Sequence, residues 1–412
     1  MTIVKDIVFF RRKKMKNGLV KKIMAVAMAA AMSLGLLAGC GSSSGSSSEA
    51  EVTTEVADGV GGTIMWLSNL SSGAQYDAAY AYIEALCKAA GYDFTVVYGD
   101  SYNDAAGNLQ AVKNGMTDDV VGIITSQDGG IASIMEEYPD VYVAGYNTDM
   151  DSVYSDGGDN AALLTNDHYL GTITDTEYTG EAVAQYYFDE VVKFGYKKVA
   201  VVNFPSYAYP SHGVAAATFT DLVNDYNETA DEPIEIVGDT TTLEFQPLAD
   251  SWFLEEGHDD LDCIVCICAG TSFVYPTLVN AIANGTCSAD TVIVSGGYDS
   301  DASITDAIGG TIASLKISPN EDIAYAFVLI DNAVNGCQYS DWTAERLQSA
   351  DWYIGSAETE AKVLSSSIIG TGNVNDAQVT VDDILQLCVR NNADATYADL
   401  VKTITSVSTD DL

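Results

Sequence analysis

Short β-branched runs that alternate with longer segments of helical period are the strongest constraint on the fold of this chain. Ten runs have the length of a strand and are written here by residue number: 62–67, 93–99, 120–126, 141–147 and 161–166 in a first set, and 197–204, 234–239, 262–269, 291–297 and 311–317 in a second. Continuous apolar strands separated by helices are typical of parallel sheets that are covered on both faces. The pattern therefore predicts an α/β protein with two doubly wound parallel-sheet domains.

The segments between these runs carry apolar residues at helical spacing. Two of them repeat at intervals of four, three and four residues: Ala79, Ile83, Leu86 and Ala90, and Ala215, Phe219, Leu222 and Tyr226. Such a period places one apolar face of each helix against a sheet. No proline- or glycine-rich linker separates the two sets of strands, so the domains are expected to lie close together, with a cleft at the carboxyl ends of both sheets.

The first 39 residues have the layout of an export signal. Basic residues crowd positions 5–22, and the apolar segment 23–38 is short for a bilayer core, which needs about 20 residues. The sequence LAGC at 37–40 resembles the lipobox of bacterial lipoproteins, which implies cleavage before Cys40 and acylation of its thiol. An ordinary cleaved signal and an uncleaved anchor are the alternatives. Residues 40–61 would then form a Ser/Gly-rich tether, and the protein would be an extracytoplasmic lipoprotein of the cell membrane.

Charge restricts the partners of the mature chain. Removing residues 1–39 leaves ten basic and 58 acidic residues, a net charge of −48. Nucleic acid and anionic lipid would be repelled, so we expect no nucleic-acid partner and membrane contact through the lipid anchor only. A surface this acidic also favours a monomer and disfavours a strongly anionic ligand.

Cysteines and clustered aspartates raise the question of a metal or redox site. "DCIVCICAG" contains a C-x-x-C, but alternation along a strand places Cys266 and Cys268 on one face and Cys263 on the other, which favours buried free thiols. The segment 147–160 holds four aspartates without the order of an EF-hand, which favours a solvated loop over a calcium site. We therefore expect no metal and no cofactor.

Four segments together resemble the type I periplasmic binding proteins, the solute receptors of ABC importers. They are "YNDAAGNLQAVKNGMTDDVVGIITSQDGG", "TDTEYTGEAVAQYYF", "TVIVSGGYDSD" and "IASLKISPNEDIAYAFVLIDNAVNG", within a resemblance that spans 62–391. The resemblance implies two domains joined by a hinge of three crossing segments, the third near 377–383. It places 62–174 and 318–378 in an N-terminal domain, and 175–317 and 379–412 in a C-terminal one. Residues 337–376 have no counterpart that we can assign.

The same resemblance places candidate ligand-binding residues after the ends of the strands. They are Trp66, Asn69, Asp128, Asn147, Phe204, Tyr207, Tyr209, Thr271 and Asp299, with Ser68 beside them. Sugar receptors of the family commonly carry an arginine in the loop that here reads "FPSYAYPSHG", and a glutamine where Ile317 stands. Recognition of vicinal hydroxyls would be weakened and aromatic stacking strengthened. For each aromatic residue, packing in the core or rim is an equal alternative, and His212 is expected to pack at a helix start.

These observations predict a binding protein rather than an enzyme. The expected function is capture of a small neutral solute, sugar-like or containing an aromatic ring, by hinge closure, followed by delivery to an ABC permease. A ligand sensor of the same fold is the alternative, because the sequence does not separate transport from signalling. A surface hydrolase is less favoured, since only His168, His212 and His258 are present and no catalytic motif has its required context.

Overall fold

The computed structural model describes residues 61–99, 104–174, 179–296 and 309–408. The predicted lipidation site Cys40, the tether and the candidate residue Asp299 lie outside these ranges, as do Asn103 and Asp175 of the family-like segments. Within the described ranges, no helix is both long and apolar enough to cross a membrane.

The first lobe begins with five strands that alternate with helices. In chain order the elements are β1 (Thr63–Ser68), α1 (Ala74–Ala90), β2 (Asp93–Tyr98), α2 (Ala105–Gly115), β3 (Val120–Thr125), α3 (Ile131–Glu137), β4 (Tyr142–Tyr146), α4 (Asp151–Tyr154), a 3-10 helix (Ala161–Thr165) and β5 (Tyr169–Thr174). All five strands are parallel in the order β2-β1-β3-β4-β5. This is a doubly wound sheet whose strand order reverses between β1 and β3.

The second lobe repeats this plan. Its elements are α5 (Gly180–Phe194), β6 (Lys198–Asn203), α6 (Pro210–Asn227), β7 (Glu235–Ile236), β8 (Thr241–Thr242), a 3-10 helix (Asp250–Leu254), β9 (Cys263–Ala269), α7 (Gly270–Phe273), α8 (Tyr275–Asn284), β10 (Val292–Gly296) and β11 (Ile312–Ile317). The strands lie in the order β7-β6-β9-β10-β11, and β8 also pairs with β6. The reversal of strand order therefore falls between β6 and β9, and the predicted fold of two doubly wound sheets is confirmed.

The remaining chain returns to both lobes. It forms a 3-10 helix (Asn320–Asp322), α9 (Ile323–Val334), β12 (Arg346–Gln348), β13 (Trp352–Ile354), α10 (Ala357–Ser366), α11 (Ile368–Thr371), a 3-10 helix (Val374–Asp376), α12 (Val381–Leu385) and α13 (Tyr397–Ile404). Strand β12 extends the first sheet beside β5, and β13 adds an antiparallel edge strand to the second sheet beside β11. Residues 349–351 therefore join one sheet to the other.

Helix α9 covers the first sheet and is almost completely enclosed. Every residue from Ile323 to Asn332 is buried. It approaches the sheet closely at Gly122 in β3, where an added Cβ would stand 2.3 Å from Ile330 Cγ2. A side chain at this position would therefore force Ile330 or the helix to shift, which explains the glycine by packing.

Three expectations from the sequence are corrected. The run 161–166 is not the fifth strand: residues 161–165 form a 3-10 helix with none of them buried, whereas β5, all six residues of which are buried, follows at 169–174. The third crossing lies at 349–351 rather than near 377–383, between two strands of three residues each. Finally, α12 packs on α1 and α13 on α9, so the segment 381–404, expected in the C-terminal domain, lies on the first lobe because its apolar face is buried there.

The strand β9 confirms the expected role of its cysteines. It lies in the middle of the second sheet, and Cys263, Cys266 and Cys268 are buried free thiols. Cys266 and Cys268 belong to the apolar core on one side of the sheet, and Cys263 to the core on the other side. Burial raises the pKa of Cys263 and Cys266, which keeps both thiols protonated and inert.

Candidate ligand site

A cavity opens at the carboxyl end of β1, where the strand order of the first sheet reverses. Its lining residues, none of which carries a charge, are Trp66, Ser68, Asn69, Leu70, Gln75, Tyr76, Ala79, Tyr146, Asn147 and Ser318. Three of the candidates predicted from sequence, Trp66, Asn69 and Asn147, are thus brought together. Open α/β sheets bind ligands at this position, since the helices on either side diverge there.

Trp66 is fixed in the wall of this cavity. Its indole N–H donates to Ser126 Oγ at 3.0 Å, across from the end of β3. One ring face stacks on Tyr76 at a centroid distance of 5.3 Å, and Tyr146 approaches its edge at 5.9 Å. The Tyr76 hydroxyl in turn bonds to that of Tyr98. The indole is only 2% exposed, so these rings form a rigid aromatic wall rather than an open platform.

Asn147 has a backbone that few residues adopt. Its φ is 52°, in the left-handed region, and its N–H donates to Ile173 O at 2.9 Å. Asparagine tolerates this conformation better than most side chains. The strand end therefore holds a half-buried carboxamide at the cavity, opposite the half-buried Asn69 that follows β1.

The cavity is small as it stands. Its volume is about 20 Å³, roughly enough for a single water molecule. The pocket is bordered by Ser318, which follows β11 in the segment that crosses from the second lobe. Because one wall comes from a crossing segment, a change in the angle between the lobes would change the volume of the cavity.

The second lobe presents an aromatic cluster at the corresponding edge of its sheet. Phe204 follows β6 and stacks on Tyr209 at 5.7 Å, with Phe245 at 5.2 Å and Phe273 at 5.0 Å. His212 stacks on Tyr209 at 4.6 Å. Phe204 and Tyr209 lie in the loop after β6, His212 in the first turn of α6, Phe245 in the loop after β8, and Phe273 at the end of α7. They pack together after the carboxyl ends of neighbouring strands.

His212 belongs to the packing of this cluster, as expected. Its Nδ1 accepts the Phe204 N–H at 3.4 Å, and the ring is 6% exposed. Burial lowers the pKa of His212 to about 4, so the imidazole is neutral near pH 7 and accepts this bond.

The other candidates lie in different surroundings. Tyr207 is 75% exposed and donates to Glu244 Oε2 at 2.7 Å, outside the aromatic cluster. Thr271 is buried in the first turn of α7. Asp128 accepts the Ser152 N–H at 2.9 Å and the Ser152 hydroxyl, so its carboxylate holds the first turn of α4. A ligand role for these three residues and for Asp299 stays a prediction.

The acidic segment 147–160 makes contacts that stabilise the first lobe. Arg346 pairs with Asp151 at 2.9 Å and donates to Asp149 O at 3.0 Å, which ties β12 to the loop after β4. Asp149 Oδ1 accepts the Thr174 hydroxyl at 2.8 Å. In the part of the chain that the structure describes, no group of three or more histidine, cysteine or acidic side chains is placed to hold a metal ion.

Sequence reasoning missed six members of the cavity wall: Leu70, Gln75, Tyr76, Ala79, Tyr146 and Ser318. Tyr76 lies in the first turn of α1, and Tyr146 is the last residue of β4. Their positions give the missing signal, because the first helical turn after a strand at the reversal of strand order faces the same edge as the strand end.

Two lobes built as doubly wound sheets, three crossings between them and a cavity at the reversal of strand order define the fold of the type I periplasmic binding proteins. The chain has this fold. No family model matches its sequence, and no curated protein matches it.

Solved structures that share the fold include two sugar-binding proteins. An ABC transporter solute-binding protein from Burkholderia graminis C4D1M, in complex with D-arabinose, is 13% identical, with a TM-score of 0.53 over 74% of this chain and 98% of that one. GanP, a glucose-galactose binding protein from Geobacillus stearothermophilus, is 15% identical, with a TM-score of 0.51 over 72% and 97%. The dimeric Lac repressor also matches, with 12% identity and a TM-score of 0.50 over 69% and 94%.

Proposed function

We propose that the protein is an extracytoplasmic solute receptor that binds a small neutral molecule, sugar-like or containing an aromatic ring, between its lobes. The observation that carries the proposal is the cavity after β1, whose described lining combines aromatic rings with amide and hydroxyl groups and holds no charge. Sites for small neutral ligands have this composition, since a few fixed polar groups orient the ligand on an apolar wall. Two proteins that share the fold bind D-arabinose and glucose or galactose.

The proposal includes closure of the lobes on the ligand and delivery to an ABC permease. A ligand that contacts both Asn147 and the loops of the second lobe would bind the closed arrangement of the lobes more tightly than the open one. Binding would therefore favour the closed arrangement. Acylation of Cys40 would keep the receptor at the membrane that contains the permease. The excess of acidic residues argues against an anionic ligand and against binding to nucleic acid.

A thermal-shift screen tests ligand binding. Neutral aldoses, nucleosides and aromatic metabolites are added to the purified protein, with sugar phosphates as the anionic comparison. At 100 times its dissociation constant, a true ligand adds about 2.7 kcal/mol to the free energy of unfolding. We expect a neutral compound to raise the melting temperature and sugar phosphates to leave it unchanged. A screen in which only anions stabilise the protein would refute the proposal.

Asn147→Gly separates binding from folding. Glycine adopts a positive φ without strain, so the variant keeps the backbone and loses only the carboxamide. We expect ligand affinity to fall at least tenfold, measured by calorimetry. Asn114→Gly, which removes an exposed amide at the end of α2, is the matched control and should bind as the unchanged protein does.

A further inference from the structure

The described chain continues after β13, the last strand of the two sheets. The two sugar-binding proteins match 74% and 72% of this chain while being covered almost completely, so about a quarter of this chain lies outside the match. The part that follows β13, residues 355–408, carries four further helices. It leaves the second sheet at Ile354 and ends against helices of the first lobe.

One end of this segment is attached to the second lobe. Helix α10 packs on β13, the strand that pairs with β11. Trp352 of β13 is completely buried, and its indole N–H donates to Gln378 Oε1 at 3.2 Å. A side chain of the second sheet is therefore hydrogen-bonded to a residue 26 positions further along the chain.

The other end is attached to the first lobe. Helices α11 and α12 both pack on α1. The Tyr82 hydroxyl of α1 donates to Val379 O at 2.5 Å, next to Gln378. Further along, the Val389 N–H donates to Asn332 Oδ1 of α9 at 2.8 Å. Each of these bonds joins the segment to a helix that covers the first sheet.

Gln378 contacts the second lobe and also the segment that follows the crossing after β11. Its backbone N–H donates to Glu321 Oε1 at 2.9 Å, and its Nε2 donates to Ser408 O at 2.7 Å. Glu321 is completely buried in the 3-10 helix that follows Pro319, directly after the crossing segment. One glutamine thus contacts a strand of the second lobe, the turn at the crossing and the end of the described chain.

We propose that residues 355–408 form a hinge strap, a fourth link between the lobes in addition to the three crossings, in which Gln378 is the positioning residue. The strap holds β13 against the covering helices of the first lobe, and so it limits the range of angles that the lobes can sample. This inference rests on the proposed hinge motion but not on the identity of any ligand.

Distance measurements between the lobes test the strap in the absence of ligand. Spin labels are placed at Asp118→Cys and Leu254→Cys, both exposed and one in each lobe, in a Cys337→Ser background because the six other described cysteines are buried. Gln378→Met removes the bond from Trp352 and the bond to Ser408, of which only the first joins the strap to the second sheet. The ratio of molecules with a short distance between the labels to molecules with a long one should fall about fivefold, which corresponds to about 1 kcal/mol for that one hydrogen bond. Pulsed dipolar spectroscopy reads this change directly.

Two further variants make the outcome decisive. Trp352→Phe keeps an aromatic ring in the core but loses the indole N–H that donates to Gln378 Oε1, together with part of the ring volume. It should broaden the distance distribution in the same direction. Gln386→Met changes an exposed glutamine of the same strap and should leave the distribution unchanged. If Gln378→Met or Trp352→Phe is folded and gives the distribution of the parent, the strap is refuted. A protein that failed every ligand screen could still show the broadening, so the two proposals fail separately.

Discussion

The carboxyl group of Asp149, enclosed in the loop after β4, makes the stability of the folded state depend on pH. Burial raises the pKa of Asp149 to about 6, while the Thr174 hydroxyl and the Arg346 guanidinium act in the opposite direction. Since the ordinary value is 3.8, the folded state favours the protonated carboxyl. Its contribution to stability is therefore fully present below about pH 4 and is lost as the pH rises through about 6.

Asp149→Asn should remove this loss of stability at high pH. The amide oxygen can still accept from Thr174, and no charge remains to be buried. We expect the variant to be more stable than the unchanged protein by about 1–2 kcal/mol at pH 7.5, with a smaller difference at pH 4.5. Urea unfolding at both values measures the difference. Asp156→Asn, at an exposed position of the same loop, serves as the control, and equal gains at the two values would contradict the prediction.

Individual site residues could be predicted where strand position alone decides them. Asn69 and Asn147 follow strand ends, and the structure places both at the cavity. Tyr207 also follows a strand, yet it is 75% exposed, because the path of a loop depends on contacts that no periodicity encodes. Tyr76 was missed because the apolar period of α1 alone does not distinguish it from a core tyrosine; its place in the first turn after β1 is the signal that identifies it.

At the scale of elements, the sequence predicts long buried strands well and short ones poorly. Nine of the ten predicted runs overlap strands, and most of these strands contain buried apolar residues in succession; β2 and β7 contain none. The exception, 161–166, is an apolar run on the surface, and β5 escaped notice because Gly171 and its threonines dilute the apolar signal. Strands β12 and β13 have three residues each, too few to show any period.

The ion pair between Arg390 and Asp331 determines how firmly the strap is fixed to α9. Arg390 Nη2 lies 3.0 Å from Asp331 Oδ1, its Nε donates to Oδ2 at 3.0 Å, and Asp331 is completely buried. Arg390→Met leaves that carboxylate without its charged partner and should cost about 3–5 kcal/mol. Urea unfolding measures this cost.

Two comparisons identify the source of that loss. Lys113→Met breaks the exposed pair with Glu137 and should cost less than about 1 kcal/mol. Adding Asp331→Asn to Arg390→Met removes the stranded charge and should recover part of the stability. An Arg390→Met variant as stable as Lys113→Met would show that the pair does not hold the strap.

At the scale of the whole molecule, charge is the dominant feature. The mature chain would carry 58 acidic and ten basic residues, so the folded state repels itself. Salt shortens the Debye length from about 30 Å at 0.01 M to about 3 Å at 1 M. We expect the melting temperature to rise between 10 mM and 1 M NaCl. Sucrose at equal osmolality is the control, and an equal rise in sucrose would assign the effect to solvent exclusion instead of screening.

The order in which the lobes are completed along the chain has a consequence for biogenesis. The strands of the second sheet from β6 to β11 lie within one continuous stretch, whereas the first sheet receives its covering helix α9 only at Ile323, long after β5 ends at Thr174. During synthesis, the sheet formed by β1 to β5 therefore has one apolar face uncovered until the strands of the second lobe and then α9 have been made. Unpaired and uncovered strands aggregate readily. We therefore expect a nascent chain of this design to need a holding factor until its C-terminal third has appeared, and truncation of that third to destabilise the first lobe.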